Sequence, residues 1–374
     1  MTTLQIGLIA SRDQTSGSDR YYFDLVRSLR ASRAGVRGIV LGDPAAVGEA
    51  GDGVCSFAPE GSRALERWGS LRRTVRSMVA QADVVVSHFA PHVFPALDII
   101  RGKPLVEHFH GPWALEGSFD RIARSRFALR LVQERSVYAR ARRIIVLSRS
   151  FGDVLERRYR VPASKIRVIP GGVDLARFAS TLSPREARAA LGLPADRPIV
   201  FCVRRLEPTK GVDRLIDAIA IVRRVVPDVL AVVAGTGSLA AALAERVRDR
   251  GLERNVAFAG KIDDAALALH YRAAACSVVP SVAWEGFGLT CIESLAAGTP
   301  VLATPVGGLP EAVGGLDAAL VFASTSVDDI AAGIGDALCG RIALPAEAAC
   351  VAYARGFAWP AIAGRVEEVY REVA

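Results

Sequence analysis

Two carboxylates stand eight residues apart around a glycine-rich turn in the second half of the chain. They are Glu285 and Glu293, the first and ninth residues of the segment EGFGLTCIESLAAGTPVLATP. Gly286 and Gly288 carry no Cβ, so the backbone can approach a ligand closely at this turn. The residues from Leu289 to Ala297 favour a helix, and anionic phosphate is stabilised at a helix N-terminus. The segment therefore predicts a pocket for a molecule that joins two hydroxylated groups through a diphosphate, in other words a sugar nucleotide.

This segment resembles the E-x7-E signature of the retaining glycosyltransferases of family 4, which share the two-domain GT-B fold. In that family the first glutamate contacts the transferred sugar and the second contacts the ribose of the nucleotide. The resemblance implies those roles for Glu285 and Glu293. It also implies donor contacts from the turn between them, at Gly286, Phe287, Gly288, Leu289 and Thr290.

Two cations, Arg205 and Lys210, lie in RRLEPTKG on a loop predicted between a strand and a helix. An arginine fork binds phosphate oxygens bidentately, and two cations suit a diphosphate. The pair resembles the family's arginine and lysine that neutralise the leaving diphosphate. Such neutralisation is electrostatic catalysis, because negative charge grows there as the glycosidic bond breaks. The family commonly has glycine before this arginine and this chain has Arg204, so which arginine reaches the phosphate is left open.

A histidine, His110, follows a predicted strand in VEHFHGPW. The carboxyl end of a strand is where a cleft residue is expected. The resemblance implies that His110 is the family's active-site histidine, which faces the donor sugar and the β-phosphate. Together with His88, His92 and His108 it also allows a metal site or a purely structural histidine. No fixed spacing links these histidines and the family's chemistry needs no metal, so we expect no metal cofactor and an activity that a chelator leaves intact.

Two further turns contain glycines that the resemblance connects with the donor. Gly17, in TSGSDRYYF, resembles the family's glycine-rich loop near the donor phosphates, although Ser16 stands where a second glycine is more usual. An ordinary strand–helix turn is the alternative there. The segment AGTGSLA suggests a dinucleotide site, but no strand-terminal acid follows about 20 residues on. The resemblance instead implies that Gly235 and Gly237 contact the nucleotide through their backbone.

Composition indicates a soluble globular protein of two domains. The chain has 374 residues, of which 51% are hydrophobic and 23% charged, and this length exceeds what one core usually holds. No apolar run reaches the ~18–20 residues of a membrane-spanning helix, and LQIGLIA near the start reads as a first strand rather than a signal peptide. The six cysteines form no C-x-x-C pair, which suits buried free thiols in a reducing cytoplasm.

Positive charge is concentrated in the first half. Residues 1–172 hold 27 Lys and Arg against 16 Asp and Glu, a balance of +11, whereas the rest of the chain carries −3. This excess admits an anionic acceptor or peripheral contact with the inner membrane face. The segment from Arg121 to Arg143, with eight arginines, suits a membrane-surface helix, although an ordinary packed helix is favoured. Nucleic acid is not expected as a partner, because no recognition-helix or stacking-aromatic pattern occurs.

Short apolar runs alternate with helical patterns throughout, which predicts parallel sheets of βαβ units. The predicted strands are Gln5–Ala10, Val36–Leu41, Asp83–His88, Pro104–Phe109, Arg143–Ser148, Ile166–Ile169, Pro198–Val203, Val229–Ala234, Val256–Ala259, Ser277–Pro280, Pro300–Ala303 and Ala319–Phe322. The predicted helices include Asp19–Ala31, Ser62–Ala80, Phe119–Arg140 and Trp359–Val373.

The fold class we predict is α/β of the GT-B type, with two Rossmann-like doubly wound domains that face each other across a cleft. The resemblance implies that residues 1–172 form the acceptor-binding domain, with the C-terminal helix 358–374 packing back on it, and that residues 173–357 bind the nucleotide sugar. Loops of the first domain, including Gly111–Ser118, are expected to contact the acceptor.

The predicted function is transfer of a hexose-type sugar from a nucleoside diphosphate to an acceptor hydroxyl with retention of configuration. A saccharide, a lipid-linked saccharide and a small metabolite are all admissible acceptors. No D-x-D triplet occurs, which argues against the other common transferase fold. A nucleotide-sugar epimerase and a non-catalytic nucleotide-sugar binding protein remain as alternatives.

Overall fold

The computed structural model describes residues 1–10, 17–32, 34–42, 53–116 and 123–374. The chain divides into two compact units. Unit 1 consists of Met1–Gly172 and Trp359–Ala374, and unit 2 consists of Val173–Ala358.

The described part of unit 1 contains a parallel sheet of seven strands. In chain order the strands are β1 (Thr2–Ala10), β2 (Gly35–Gly42), β3 (Val54–Ala58), β4 (Val84–Ser87), β5 (Leu105–Phe109), β6 (Arg143–Val146) and β7 (Ile166–Val168). Their order across the sheet is 3-2-1-4-5-6-7. The order reverses between β1 and β4, which is the switch point where doubly wound folds bind ligands.

Helices cover the faces of this sheet. They are α1 (Gly17–Ala31), α2 (Ala64–Met78), α3 (Ala90–Val93), α4 (Trp113–Glu116), α5 (Arg124–Arg140), α6 (Arg149–Val154) and the C-terminal helix Trp359–Val373. In α1 the buried apolar residues recur at Tyr21, Tyr22, Leu25, Val26 and Leu29, so a single stripe faces the sheet.

Unit 2 contains a parallel sheet of five strands. They are β8 (Ile199–Val203), β9 (Leu230–Ala234), β10 (Val256–Gly260), β11 (Cys276–Val279) and β12 (Val301–Ala303). Their order is 10-9-8-11-12, which puts the switch point between β8 and β11. The helices of this unit are α7 (Leu175–Phe178), α8 (Pro184–Ala190), α9 (Val212–Val222), α10 (Ala240–Asp249), α11 (Asp264–Ala273), α12 (Leu289–Ala296), α13 (Leu309–Val313), α14 (Val327–Leu338) and α15 (Glu347–Ala354). The C-terminal helix Trp359–Val373 is α16.

The predicted α/β class with two doubly wound sheets is confirmed, with two exceptions among the strands. The predicted strand Ala319–Phe322 is wrong, because Ala318–Leu320 forms a 3-10 turn and Val321 makes only an isolated bridge to Ala303. The Asp317 side chain accepts a hydrogen bond from the Ala319 N–H and so favours the turn. Strand β3 was not predicted, because it lies at the sheet edge with only two buried residues.

The arginine-rich segment forms α5 over Arg124–Arg140, and residues 117–122 lie outside the described part of the chain. Val137 and Tyr138 are buried in this helix, whereas Leu129 and Val132 are exposed. No helix among the described residues is long and apolar enough to cross a membrane. The six cysteines are all free, and four of them are buried.

Candidate active site

The switch point of unit 2 brings two loops together. Arg204 directly follows β8, and its N–H donates to the Ala234 carbonyl at 2.9 Å, so the backbone extends the sheet by one more residue. Ser281 and Glu285 follow β11, which pairs directly with β8. Parallel neighbours end at the same edge of a sheet, so side chains from both loops converge there.

The converging side chains form a buried ionic cluster around one carboxylate oxygen. Arg204 Nη2 donates to Glu285 Oε2 in an ion pair. Lys210 Nζ donates to the same oxygen at 3.2 Å, and Ser281 Oγ donates to it at 3.0 Å. The Arg204, Lys210 and Glu285 side chains are only 7%, 13% and 12% exposed, respectively. Burial of this kind is tolerated because the charges are paired and hydrogen-bonded.

The electrostatics keep Glu285 ionised. Burial alone would raise the pKa of its carboxyl, but the neighbouring charges of Arg204 and Lys210 outweigh that effect and lower the pKa to about 2. Burial lowers the pKa of the Lys210 ammonium, and the charge of Glu285 partly opposes the shift. At neutral pH the cluster therefore holds a fixed carboxylate between two basic groups.

The backbone around Glu285 is also constrained. Its carbonyl accepts a hydrogen bond from the Gly308 N–H at 2.9 Å. The residue before it, Trp284, has a φ of +49°, which a bulky residue rarely adopts. Backbone strain of this kind is often found at functional sites.

Helix α12 begins next to this cluster. Its N-cap residue, Gly288, has a φ of +89°, and a Cβ at this position would collide with Leu309. The first N–H groups of a helix have no intrahelical partner, which makes such an N-terminus a site for anions. Glu293 is buried one turn into the helix, where Tyr271 Oη donates to its Oε2 at 3.4 Å. A phosphate-favouring backbone and a hydroxyl-accepting carboxylate thus lie on the same helix.

The two adjacent arginines have different environments. Arg204 is buried, and its Nη2 also donates to Ser281 Oγ at 2.5 Å, while its Nη1 donates to Thr290 Oγ1 at 3.3 Å. Arg205 is exposed. The phosphate-binding role of Arg205 stays a prediction, and the structure adds Arg204 to the cluster of Lys210 and Glu285.

Gly235 and Gly237 support the loop that carries Arg204. Gly235 has a φ of +126°, and a Cβ there would collide with the Arg204 carbonyl oxygen. A Cβ on Gly237 would collide with the Leu206 carbonyl oxygen. Both glycines are therefore explained by close backbone packing, and their contacts with a nucleotide stay predictions.

In unit 1, His110 follows β5 and belongs to a hydrogen-bonded chain that reaches β1. Gln5 Nε2 donates to Thr3 Oγ1 at 3.1 Å, which leaves Gln5 Oε1 as the acceptor for His88 Nε2 at 2.9 Å. In a neutral His88 the Nδ1 is then an acceptor, and His110 Nε2 donates to it at 3.3 Å. This chain leaves Nδ1 as the acceptor nitrogen of the His110 ring.

Burial keeps these imidazoles neutral. It lowers the pKa of His110 to about 4 and the pKa of His88 and His108 well below the usual value. His108 contacts Tyr21 Oη at 3.1 Å and Tyr370 Oη at 2.7 Å. A neutral His110 can accept a hydrogen bond from a hydroxyl but supplies no positive charge to a phosphate.

The other site residues predicted from the sequence lie partly outside the described part of the chain. Gly17 is the exposed first residue of α1, and residues 11–16, including Ser16, lie outside the described part. Of the Gly111–Ser118 segment, Trp113–Glu116 forms α4, and residues 117 and 118 are not described. His92 Nδ1 donates to the Gly7 carbonyl at 2.8 Å. Among the described residues, no group of three or more His, Cys, Asp or Glu side chains is arranged to hold a metal ion.

Two protein-family models match this chain, one in each half. The model described as Glycosyl transferases group 1 matches residues 184–357, and the model described as Glycosyltransferase Family 4 matches residues 15–177. The matched ranges together include the ionic cluster, α12 and His110.

The chain is also similar to curated proteins named D-inositol 3-phosphate glycosyltransferase. It is 34% identical to the protein of Streptomyces scabiei over 254 residues, which cover 65% of this chain and 56% of that protein. It is 34% identical to the protein of Mycobacteroides abscessus over 275 residues, which cover 72% of this chain and 60% of that protein. The chain thus spans little more than half the length of these relatives.

Solved structures share its fold along the whole chain. Sucrose-phosphate synthase from Thermosynechococcus elongatus has a TM-score of 0.78 at 23% identity and covers 100% of this chain, with 99% of its own chain covered. Anabaena HepE in complex with UDP and glucose has a TM-score of 0.78 at 20% identity, with 98% and 99% covered. WaaG, a glycosyltransferase of lipopolysaccharide biosynthesis, has a TM-score of 0.75 at 18% identity, with 100% and 99% covered.

Proposed function

Because the chain belongs to the family 4 glycosyltransferases, we propose that it transfers a hexose-type sugar from a nucleoside diphosphate to an acceptor hydroxyl with retention of anomeric configuration. The observation that carries this proposal is the buried cluster of Arg204, Lys210 and Glu285 beside the N-terminus of α12. Cations and a helix N-terminus suit a diphosphate. The carboxylates of Glu285 and Glu293 suit the hydroxyls of the sugar and the ribose.

We propose a uridine diphosphate sugar as the donor. HepE, which shares the fold, has been solved with UDP and glucose and also with UDP-glucose. The donor contacts that we assign to this chain come from the Lys210 loop and from the turn between Glu285 and Glu293. Arg205, Gly17 and Gly235 complete the proposed donor site.

For the acceptor we propose a hydroxylated anionic molecule. The similar curated proteins are named for D-inositol 3-phosphate, which is a phosphorylated polyol. Residues 1–172 carry a net charge of +11, and a positive surface attracts anions. A lipid-linked anionic saccharide at the inner membrane face fits the same charge, so both types belong in an acceptor screen.

In the proposed reaction, the bond between the anomeric carbon and the diphosphate oxygen breaks as the acceptor oxygen bonds to that carbon from the same face. The proton of the acceptor hydroxyl passes to the departing phosphate. Lys210 stabilises the negative charge that grows on the diphosphate, with Arg205 as the second proposed cation. His110, through Nδ1, and Glu285 accept hydrogen bonds from sugar hydroxyls and orient the ring.

A thermal-shift screen tests the donor part of the proposal. Purified wild-type protein and the variant Lys210→Ala are melted with UDP-, GDP-, ADP- and dTDP-sugars, because a ligand well above its Kd raises the melting temperature. We expect the UDP-sugars to stabilise the wild type, and a smaller shift for the variant. No shift of the folded wild type with any of these donors contradicts the proposal.

A coupled assay of nucleotide release then tests for transfer. With a transferase, release of nucleoside diphosphate from a binding donor accelerates when polyol phosphates or saccharides are added. Fast release that no acceptor changes would instead indicate the epimerase-type alternative.

A further inference from the structure

We infer that Arg204 is a positioning residue that holds the Glu285 carboxylate in place while Lys210 turns to the donor diphosphate. This inference rests on the proposed function, in which Glu285 contacts the sugar and Lys210 the phosphate. It concerns Arg204, which stands where the family commonly has glycine and for which the sequence left open only a contact with the phosphate.

The Arg204 guanidinium is anchored by three hydrogen bonds. Its Nη2 donates to Ser281 Oγ and to Glu285 Oε2, and its Nη1 donates to Thr290 Oγ1. Ser281 and Thr290 are neutral hydroxyls on the β11–α12 loop and at the start of α12. Two of the three acceptors that hold the guanidinium, Ser281 and Thr290, therefore do not depend on Lys210.

Glu285 and a bound diphosphate would compete for the ammonium group of Lys210. Its Nζ lies 3.2 Å from Glu285 Oε2, the oxygen that Arg204 also binds. A diphosphate oxygen is a strong competing acceptor for an ammonium group. When Lys210 donates to phosphate, Glu285 loses one of its two cationic neighbours, and Arg204 is the cation that stays beside it.

Without Arg204, Glu285 would have no cationic neighbour once Lys210 binds the donor. A buried carboxylate with no cationic neighbour takes up a proton or leaves its position, because an unpaired charge is strongly destabilised there. With Lys210 engaged by the donor, a glycine at position 204 would leave Ser281 as the one hydrogen-bond donor of the present cluster. Arg204 keeps a positive charge beside the buried Glu285 carboxylate in this chain.

The hydrogen bonds of Arg204 Nη2 oppose direct binding of a phosphate through that nitrogen. Both hydrogens of Nη2 are engaged by Ser281 and Glu285. Binding a phosphate through that nitrogen would require Arg204 to give up its ion pair with Glu285. Arg204 Nε has no hydrogen-bond partner among the described residues, so the cluster excludes a phosphate contact only through Nη2, and the affinity for UDP distinguishes the two roles.

The test compares Arg204→Met and Arg204→Lys in the wild type and in the Glu285→Gln variant. Three quantities are measured: the affinity for UDP alone, kcat with the UDP-sugar and acceptor found for the wild type, and the pH profile of kcat/KM. Arg341→Met is the matched control, since Arg341 is an exposed arginine paired with Asp336. We expect this control to match the wild type.

We expect Arg204→Met to lower kcat about 10-fold or more while UDP affinity stays within about 2-fold. The acid limb of the pH profile should move towards neutral pH, because the pKa of Glu285 rises when Arg204 is removed. Arg204→Lys should recover part of the loss by restoring the charge. In the Glu285→Gln variant, Arg204→Met should have little further effect, because Arg204 acts through the Glu285 carboxylate.

Two results overturn the inference but leave the proposed function standing. One is a parallel loss of UDP affinity and kcat, which would make Arg204 a direct phosphate ligand. The other is an equal loss from Arg204→Met in both backgrounds, with an unmoved acid limb. Wild-type protein that neither binds nor turns over any sugar nucleotide overturns the proposed function, and the inference with it. If Arg204→Met fails to fold, the same comparisons are made with Arg204→Lys and Arg204→Gln.

Discussion

One carboxylate oxygen, Glu285 Oε2, receives three hydrogen bonds in the unit 2 site. Its two cationic partners differ in function according to our account. We propose that Lys210 binds the donor diphosphate and that Arg204 holds the Glu285 carboxylate in position. The two residues should therefore respond differently to substitution.

Lys210→Ala should lower kcat by on the order of 10²–10³, because it removes one stabiliser of charge that develops as the diphosphate leaves. Steady-state kinetics with a binding donor measures this effect. Lys103→Ala, a lysine substitution in unit 1, is the matched control with unchanged turnover expected. Near-normal turnover of Lys210→Ala would remove Lys210 from the proposed mechanism.

Glu293→Ala should weaken donor binding by about 1–3 kcal/mol, since it removes the carboxylate that we propose accepts hydrogen bonds from the ribose hydroxyls. Glu293→Gln keeps the size and one acceptor oxygen, so its loss should be smaller. Titration calorimetry with the UDP-sugar compares the two variants with the wild type. An unchanged affinity for Glu293→Ala would contradict the ribose role.

The sequence predicts some of these residues more readily than others. Glu285 and Glu293 lie in one continuous segment, so their spacing and the glycine turn between them carry the signal. The inward position of Arg204 depends on where β8 ends, and adjacent arginines do not indicate which of them is buried. The bond between His88 and Gln5 joins residues 83 positions apart, and no local pattern predicts such a contact.

Among the secondary-structure elements, helices α12 and α16 agree well with the sequence prediction. The sequence predicts α16 at the observed bounds and α12 to within one residue, because each has a strong helical pattern with a clear start. The unpredicted β3 and the wrong strand at 319–322 are short segments. Edge position decides the outcome in β3, and the local hydrogen bond from Asp317 decides it at 319–322, although that run is apolar throughout.

Helix α16 links the end of the chain to the histidine cluster through Tyr370. Tyr370→Phe removes the hydroxyl that bonds His108 Nε2 and leaves a buried polar atom unpaired. We expect the free energy of unfolding to fall by about 1–3 kcal/mol, measured by urea denaturation. Glu372→Gln on the same helix breaks ion pairs with Arg143 and Arg167 that are part-exposed, so it should cost less than about 1 kcal/mol. Equal losses of unfolding free energy in Tyr370→Phe and Glu372→Gln would show that the buried hydrogen bond to His108 contributes no more than the part-exposed ion pairs.

All five histidines of the chain have a pKa lowered chiefly by burial, with values of about 4 for His92 and His110. At these histidines the unfolded chain therefore binds more protons than the folded one between about pH 6.5 and pH 4. The stability that these neutral histidines contribute is complete above pH 6.5 and is lost as the pH falls towards 4.

Glu134 has the opposite pH dependence. Burial raises the pKa of its carboxyl to about 7, so the stability that its neutral form contributes is lost as the pH rises through 7.

We accordingly expect the free energy of unfolding to fall between pH 6.5 and pH 4, since the five histidines with a lowered pKa outnumber the two carboxyls, Glu107 and Glu134, whose pKa burial raises. Urea denaturation at a series of pH values measures this slope. A stability that is constant or rises towards pH 4 would show that the histidines are not buried as neutral groups.

Retaining transfer from a nucleotide sugar is tested by the anomeric configuration of the product. Time-resolved proton NMR of the protein with an α-linked UDP-sugar and the acceptor that accelerates nucleotide release reads that configuration from the anomeric coupling constant. We predict an α-linked product that appears together with free UDP. A β-linked product, or no acceptor-dependent product from any donor that binds, would contradict the account.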